Sequence, residues 1–149
     1  MEYSNEYAQD FSDKNFGKVR GVRNLYADGR VPSGYTKVGD LVYNSNGNEV
    51  NGICIYNGIK QGNDVYLFKS AFVCKEQLYI SMGHEYMHAS YNSLGLMNYS
   101  KQHQAIYYWE KTQGQLLNYN ITIPNIYRTN YTIHPIYQKH LIPFTNVVY

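Results

Sequence analysis

Helix breakers are spread unevenly along this chain, and one long stretch without them constrains the fold more than any other feature. From Glu76 to about Leu94 there is no proline and no turn cluster, and Gly95 follows as a candidate C-cap. Ser100 then reads as an N-cap for KQHQAIYYWEKTQGQLLNY, a second helix of similar length. The two helices are expected to form a hairpin turning at Gly95. Trp109 on the second helix is expected in the core, against the first.

Punctuation is dense on either side. Residues 1–35 read as an irregular N-terminal region: NEYAQDF is a possible short helix, and YADGRVPSGY is a run of turns. Over residues 36–73 the runs TKVGDLVYN, VNGICIYNG and DVYLFKSAFV are separated by NSNGNE and IKQGND, which predicts a meander of three short antiparallel strands. DVYLFKSAFV leads into the first long helix and is the natural candidate for an edge strand that binds peptide by strand addition. Beyond Asn120, Pro124, Pro135 and Pro143 forbid a long helix, so residues 121–149 are expected to wrap the domain in extended form. No internal repeat is evident.

Composition narrows the function classes. The 149 residues suffice for a single domain with a real core. Hydrophobic residues make up 44% and charged residues 16%, so the chain is not compositionally disordered. A net charge of +2, with no basic run, gives no reason to expect nucleic acid or a membrane surface as partner. No apolar run approaches the roughly 20 residues of a spanning helix. The first residues, MEYSNEYAQDF, lack the basic and apolar regions of a signal peptide. Sequons at Asn98, Asn120 and Asn130 are expected by chance in a chain this rich in asparagine. Cys54 and Cys74 are expected to be buried apolar residues or one disulfide; without a C-x-x-C pair, a thiolate zinc site is not indicated. Tyrosine is the outlier, at 18 residues. It supplies apolar area and a hydroxyl that needs a partner, in a half-polar core or on a binding face.

The first long helix carries the chemistry. In QLYISMGHEYMHASYNSLG the only formal charge is Glu85, set between His84 and His88. On a helix, positions i and i+4 put both imidazoles on one face, where they can grip a metal ion, most often zinc. Glu85 lies about 100° round the helix from His84. From there it can reach a metal-activated water without ligating the metal, and act as general base. Burying a lone acid is costly, and this chemistry supplies a reason to keep one. The extension that would place a third histidine downstream fails, because Tyr91 and Leu94 stand where glycine and histidine would be. On the second helix His103, Tyr107 and Glu110 share a face. His103 and Glu110 are about 10 Å apart along the axis at roughly 1.5 Å per residue. The level of His88 falls between them, and spacing leaves the third ligand open.

The blocks LYISMGHEYMHASY and SKQHQAIYYWEKTQ resemble the H-E-x-x-H domains at the C-termini of bacterial polymorphic toxins, found after RHS-type repeats, especially in Bacteroidetes. The resemblance covers about residues 64–117. It implies a zincin-like metallopeptidase toxin with a Zn²⁺ cofactor, delivered by a secretion system and restrained by an immunity protein, and a chain cut from a larger effector. It implies His84 and His88 as metal ligands, Glu85 as general base and the residue at 103 as third ligand. Related domains carry His or Glu in that slot. His103 is preferred, Glu110 is second, and a C-terminal histidine is the remaining option. If His103 ligates, Glu110 is available to orient an imidazole. Tyr107 is the candidate to stabilise the oxyanion, with His134 and Tyr137 as alternatives. His140 has no spaced partner and reads as a partly exposed histidine.

The expectation is therefore an α+β domain: a small antiparallel sheet packed on a two-helix zincin-like hairpin spanning 75–120, with an irregular C-terminal segment. Its expected activity is hydrolysis of a peptide or amide bond. The alternatives are a zinc amidase acting on cell-wall material and a non-catalytic, metal-stabilised binding or adhesion module.

Overall fold

Two 19-residue helices, α2 (Lys75–Ser93) and α3 (Tyr99–Leu117), occupy the breaker-free stretch and its successor. They belong to a computed structural model that describes residues 1–128 and 132–148. The sequon at Asn130 lies outside the described residues. The remaining elements are α1 (Asn5–Phe16), β1 (Val22–Leu25), β2 (Thr36–Val38), β3 (Leu41–Tyr43), β4 (Gly52–Tyr56), β5 (Asn63–Leu67) and α4 (Pro135–Gln138), with short 3₁₀ turns at Lys69–Phe72 and Asn125–Tyr127. The fold is mixed α+β, as expected.

α2 is interior. Its buried residues, among them Leu78, Met82, Tyr86 and Met87, fall on every side of the helix. A helix that is apolar all round must be covered all round. Here β4 and β5 cover one side, α1 another and α3 a third. Cys74 caps its start, the sulfur accepting from the Gln77 N–H at 3.4 Å. Gly95, at φ 75°, turns the chain after Leu94 in the left-handed conformation that glycine adopts without steric cost. α3 starts earlier than Ser100. Asn98 is its cap, accepting from Lys101 N–H at 3.0 Å, so Tyr99 stands in the first turn.

α2 and α3 meet where Gly83 faces Trp109. A β-carbon at position 83 would run into the indole ring. Trp109 is fully buried, as expected, and its ring lies 5.9 Å from that of Tyr79. Ala105, one turn before Trp109 on α3, is also fully buried.

The strand region corrects the antiparallel meander. TKVGDLVYN is not one strand: Gly39, at φ 62°, turns the chain, and β2 pairs with β3 as a separate two-stranded hairpin. The Gly-Asp step inside the run is a hairpin turn in its own right. The other sheet has the order β1-β5-β4 and is mixed, not antiparallel throughout, because β1 runs parallel to β5. β1 comes from the region expected to be irregular. It docks through a backbone crossing in which a β-carbon at Gly62 would lie 2.6 Å from the Gly21 carbonyl oxygen. Asn63 fixes the junction, donating its amide N–H to Gly21 O at 3.1 Å and to Ser93 Oγ at 3.2 Å. The expected edge strand is thereby corrected. β5 is the central strand, it ends at Leu67, and β4 holds the edge beside α2.

Among the described residues beyond Asn120 the regular elements are two short helical turns. Gln113 bonds both N–H and C=O of Thr145, and Asn15 of α1 bonds both of Val148. Both cysteines are free thiols.

Gly83→Ala is expected to destabilise the fold by about 1–3 kcal/mol, the usual cost of overpacking a filled core. Ser90→Ala, on the exposed side of α2, is expected to stay within about 0.5 kcal/mol of the parent. Urea titration followed by fluorescence of the single tryptophan checks both.

Candidate metal centre

The α2–α3 contact brings together three imidazoles that are 15 residues apart at most between nearest partners. His84 and His88 project from one face of α2, and His103 meets them from the second turn of α3. His88 Nε2 lies 3.2 Å from His84 Nε2 and 3.1 Å from His103 Nε2. Among the described residues this is the one cluster of histidine, cysteine or acidic groups close enough to hold a metal ion.

The outer nitrogens show what the inner ones are doing. The Gln102 amide nitrogen donates to Asn92 Oδ1 at 2.9 Å and to the Leu96 carbonyl at 2.7 Å. Its Oε1 therefore faces His88 as an acceptor, 2.7 Å from Nδ1. That makes Nδ1 the protonated nitrogen of His88 and leaves the Nε2 lone pair pointing into the cluster. His84 donates Nδ1–H to Glu110 Oε2 at 2.9 Å, and its Nε2 likewise points inward. Converging lone pairs repel unless a proton or a cation sits among them. Around a tetrahedral ion with bonds of about 2.0–2.1 Å, two ligand nitrogens stand about 3.3 Å apart. The observed spacing fits such an ion. The outer acceptors match the arrangement that holds ligating imidazoles in their tautomer and orientation.

His103 presents its nitrogen to the cluster, and Glu110 instead takes up the orienting position on His84. The C-terminal histidines take no part. His134 caps α4, accepting from Ile136 N–H at 3.3 Å, and His140 is half-buried outside the cluster.

Glu85 is buried, at 6% exposure, with one carboxylate oxygen 4.0 Å from His84 Nε2. It accepts no hydrogen bond among the described residues. Gly52 of β4 leaves room for it, since a β-carbon there would come within 3.1 Å of Glu85 Cγ. Burial pushes the Glu85 carboxyl up to about 7, with the His84 charge opposing and Glu110 reinforcing the shift. Burial disfavours an imidazolium at His84, yet the Glu85 and Glu110 carboxylates outweigh it and push His84 up to about 9. Burial and the neighbouring imidazoles hold His88 well below the ordinary histidine range, and burial followed by His84 brings His103 down to about 3. Without a metal the cluster thus carries one proton on His84 between two neutral rings.

Tyr107 belongs to the site. Its ring lies 5.3 Å from His84 and 5.0 Å from His103. Tyr137 does not: it packs on Tyr91, and its hydroxyl accepts from Asn98 N–H at 3.3 Å. Its place as an oxyanion donor is corrected for that reason, and so is that of His134. Two participants were missed. Gln102 carries no spacing or motif that sets it apart in sequence from other polar residues of a helix. Tyr99 stands one turn before His103 on the same face, and its ring stacks on His88 at 5.3 Å. The i, i+4 spacing of Tyr99, His103 and Tyr107 was the available signal, hidden by placing the cap at Ser100.

His84→Ala, His88→Ala and His103→Ala are each expected to abolish stoichiometric Zn²⁺ binding. Gln102→Ala and Glu110→Ala are expected to weaken it by about 10–100-fold, and Glu85→Gln to preserve it. Metal competition with a chromogenic chelator separates these cases. Because His84 holds a proton up to about pH 9 while His88 and His103 hold none near neutrality, metal must displace it. Affinity is expected to rise with pH up to that value, with about one proton released per ion at pH 7. Calorimetry in buffers of different ionisation enthalpy reads that release.

Compared with known protein families, with curated proteins and with solved structures, the chain matches none.

Proposed function

We propose that this chain is a zinc-dependent, metallopeptidase-like toxin or effector domain that hydrolyses a peptide or amide bond. One observation carries the reading. Three inward-pointing imidazole nitrogens at 3.1–3.2 Å stand beside a buried carboxylate that accepts no hydrogen bond among the described residues. A metal site kept only for stability closes with four protein ligands and has no use for a free acid. Three ligands and a poised base are the parts of a hydrolytic centre.

His84, His88 and His103 would hold a divalent ion, which would supply Lewis acidity to lower a water's pKa toward about 7 and polarise a carbonyl. Glu85, buried and without a hydrogen-bond donor among the described residues, would take a proton from the attacking water and return it to the departing amine. Glu110 and Gln102 hold the two α2 imidazoles in orientation. The hydroxyl of Tyr107 is free among the described residues to donate to the developing oxyanion.

β4 supports an extended substrate. In its antiparallel ladder with β5, Phe68 N–H bonds to Asn51 O and Asn57 N–H bonds to Gly62 O. Bonded pairs alternate along such a ladder, so the backbone groups of Gly52, Cys54 and Tyr56 point to the open edge. A peptide added there passes over Glu85, which lies beneath Gly52. The resemblance to polymorphic-toxin domains supports delivery as a secreted effector and a cognate immunity protein as partner. No helix among the described residues is long and apolar enough to cross a membrane.

Glu85→Gln is expected to lower hydrolysis of a susceptible peptide by about 10²–10⁴-fold while retaining zinc, and to abolish toxicity on expression. Unchanged turnover and toxicity would sink the mechanism.

A further inference from the structure

Three tyrosines, Tyr99, Tyr107 and Tyr127, stand around the imidazole triad. Tyr99 stacks on His88 and meets His103 edge-on, with centroids 4.2 Å apart. Tyr127 lies 5.8 Å from His103 and stacks on Tyr107 at 5.0 Å. Elsewhere tyrosine hydroxyls are spent inside the fold: Tyr91 donates to Tyr137 O at 2.6 Å and Tyr119 to Gln77 Oε1 at 3.0 Å. The hydroxyls of Tyr99, Tyr107 and Tyr127 make no hydrogen bond among the described residues. Tyr99 is moreover 65% exposed, although it leans on a buried metal-site imidazole. These rings form an amphipathic wall that continues the metal centre toward solvent.

The wall lies where substrate side chains would fall. Side chains of a strand added at β4 alternate between the two sides of the sheet. One set points to the α2 side, where Gly52 faces Glu85, Glu85 stands 4.0 Å from His84, and the His84 ring lies 5.3 Å from that of Tyr107. An acidic side chain there would meet Glu85 and Glu110. With a divalent cation present, those two carboxylates balance its charge, so a basic side chain gains no net attraction. Rigid aromatic faces instead reward apolar area.

We propose that Tyr99 and Tyr127 form a side-chain subsite that selects peptides carrying a bulky apolar residue, aromatic or long aliphatic, beside the bond to be broken. This rests on the peptidase reading, and binding separates the two. The experiment uses the zinc-loaded Glu85→Gln protein, an immobilised library of unstructured octapeptides, and synthetic pairs differing by Phe or Ala at the enriched position. Enrichment of Phe, Tyr, Trp or Leu at one position is expected, with the Phe member of a pair binding about tenfold tighter or more, as burial of an aromatic ring implies. Tyr99→Ala and Tyr127→Ala, each measured as zinc-loaded protein, are expected to reduce that preference to about threefold or less. Preference for Lys or Arg, no preference, or a preference that both variants leave intact would overturn the subsite. Peptide hydrolysis by the parent with no such preference overturns the subsite alone. Apolar enrichment without hydrolysis by the parent retains the subsite and overturns the catalytic reading.

Discussion

The contact between Gly83 and Trp109 sets the distance between α2 and α3, and the metal centre depends on that distance. Indole against bare backbone lets two helices approach more closely than side chain against side chain would allow. Gly83 is the residue immediately before His84, so the point of closest packing is also the floor of the site. One turn further along, His88 meets His103. A wider crossing would keep the i, i+4 pair on α2 but carry the third imidazole out of reach.

The cluster is an electrostatic problem that the fold has only half solved in protein atoms. Burial of polar groups is tolerated when each finds a partner. Gln102, Asn92 and Glu110 satisfy the outer nitrogens of the α2 imidazoles, while the inner nitrogens face one another and Glu85 faces them with no donor. A proton on His84 relieves part of this, since two carboxylates stand close enough to hold it there. A divalent cation relieves all of it. That asymmetry, acceptors on the outer nitrogens of His84 and His88 and convergence of the inner nitrogens, distinguishes the cluster from histidines that merely hydrogen-bond locally.

Tyrosine divides by location in this chain. Tyr26 and Tyr86 share a buried hydroxyl contact with Ser12, tying α1 and β1 to α2. Tyr91 and Tyr137 tie α2 to the C-terminal wrap. There the phenol serves as a core residue with one polar atom to place. Around the triad the same side chain leaves its hydroxyl without a hydrogen bond among the described residues. Composition alone offered both uses and could not apportion them, because a phenol in a half-polar core and one on a binding face look alike in sequence.

Local sequence determined both long helices, their hairpin, the shared face of His84 and His88 and the buried place of Trp109. These follow from breaker placement and helical periodicity, which act over a few residues. The cap at Asn98 was misjudged by two positions because asparagine and serine compete for that role, and Tyr99 was lost with it. Only the tertiary structure set His103 beside the α2 imidazoles and Glu110 against His84, since both lie on one face and their placement turns on how closely α3 approaches α2. It likewise assigned Gln102 to His88, brought β1 beside β5, and moved the open edge of the sheet from DVYLFKSAFV to β4. Parallel pairing and edge position are set by contacts between segments about 40 residues apart, such as the docking of Gly21 on Gly62, and no local pattern records them.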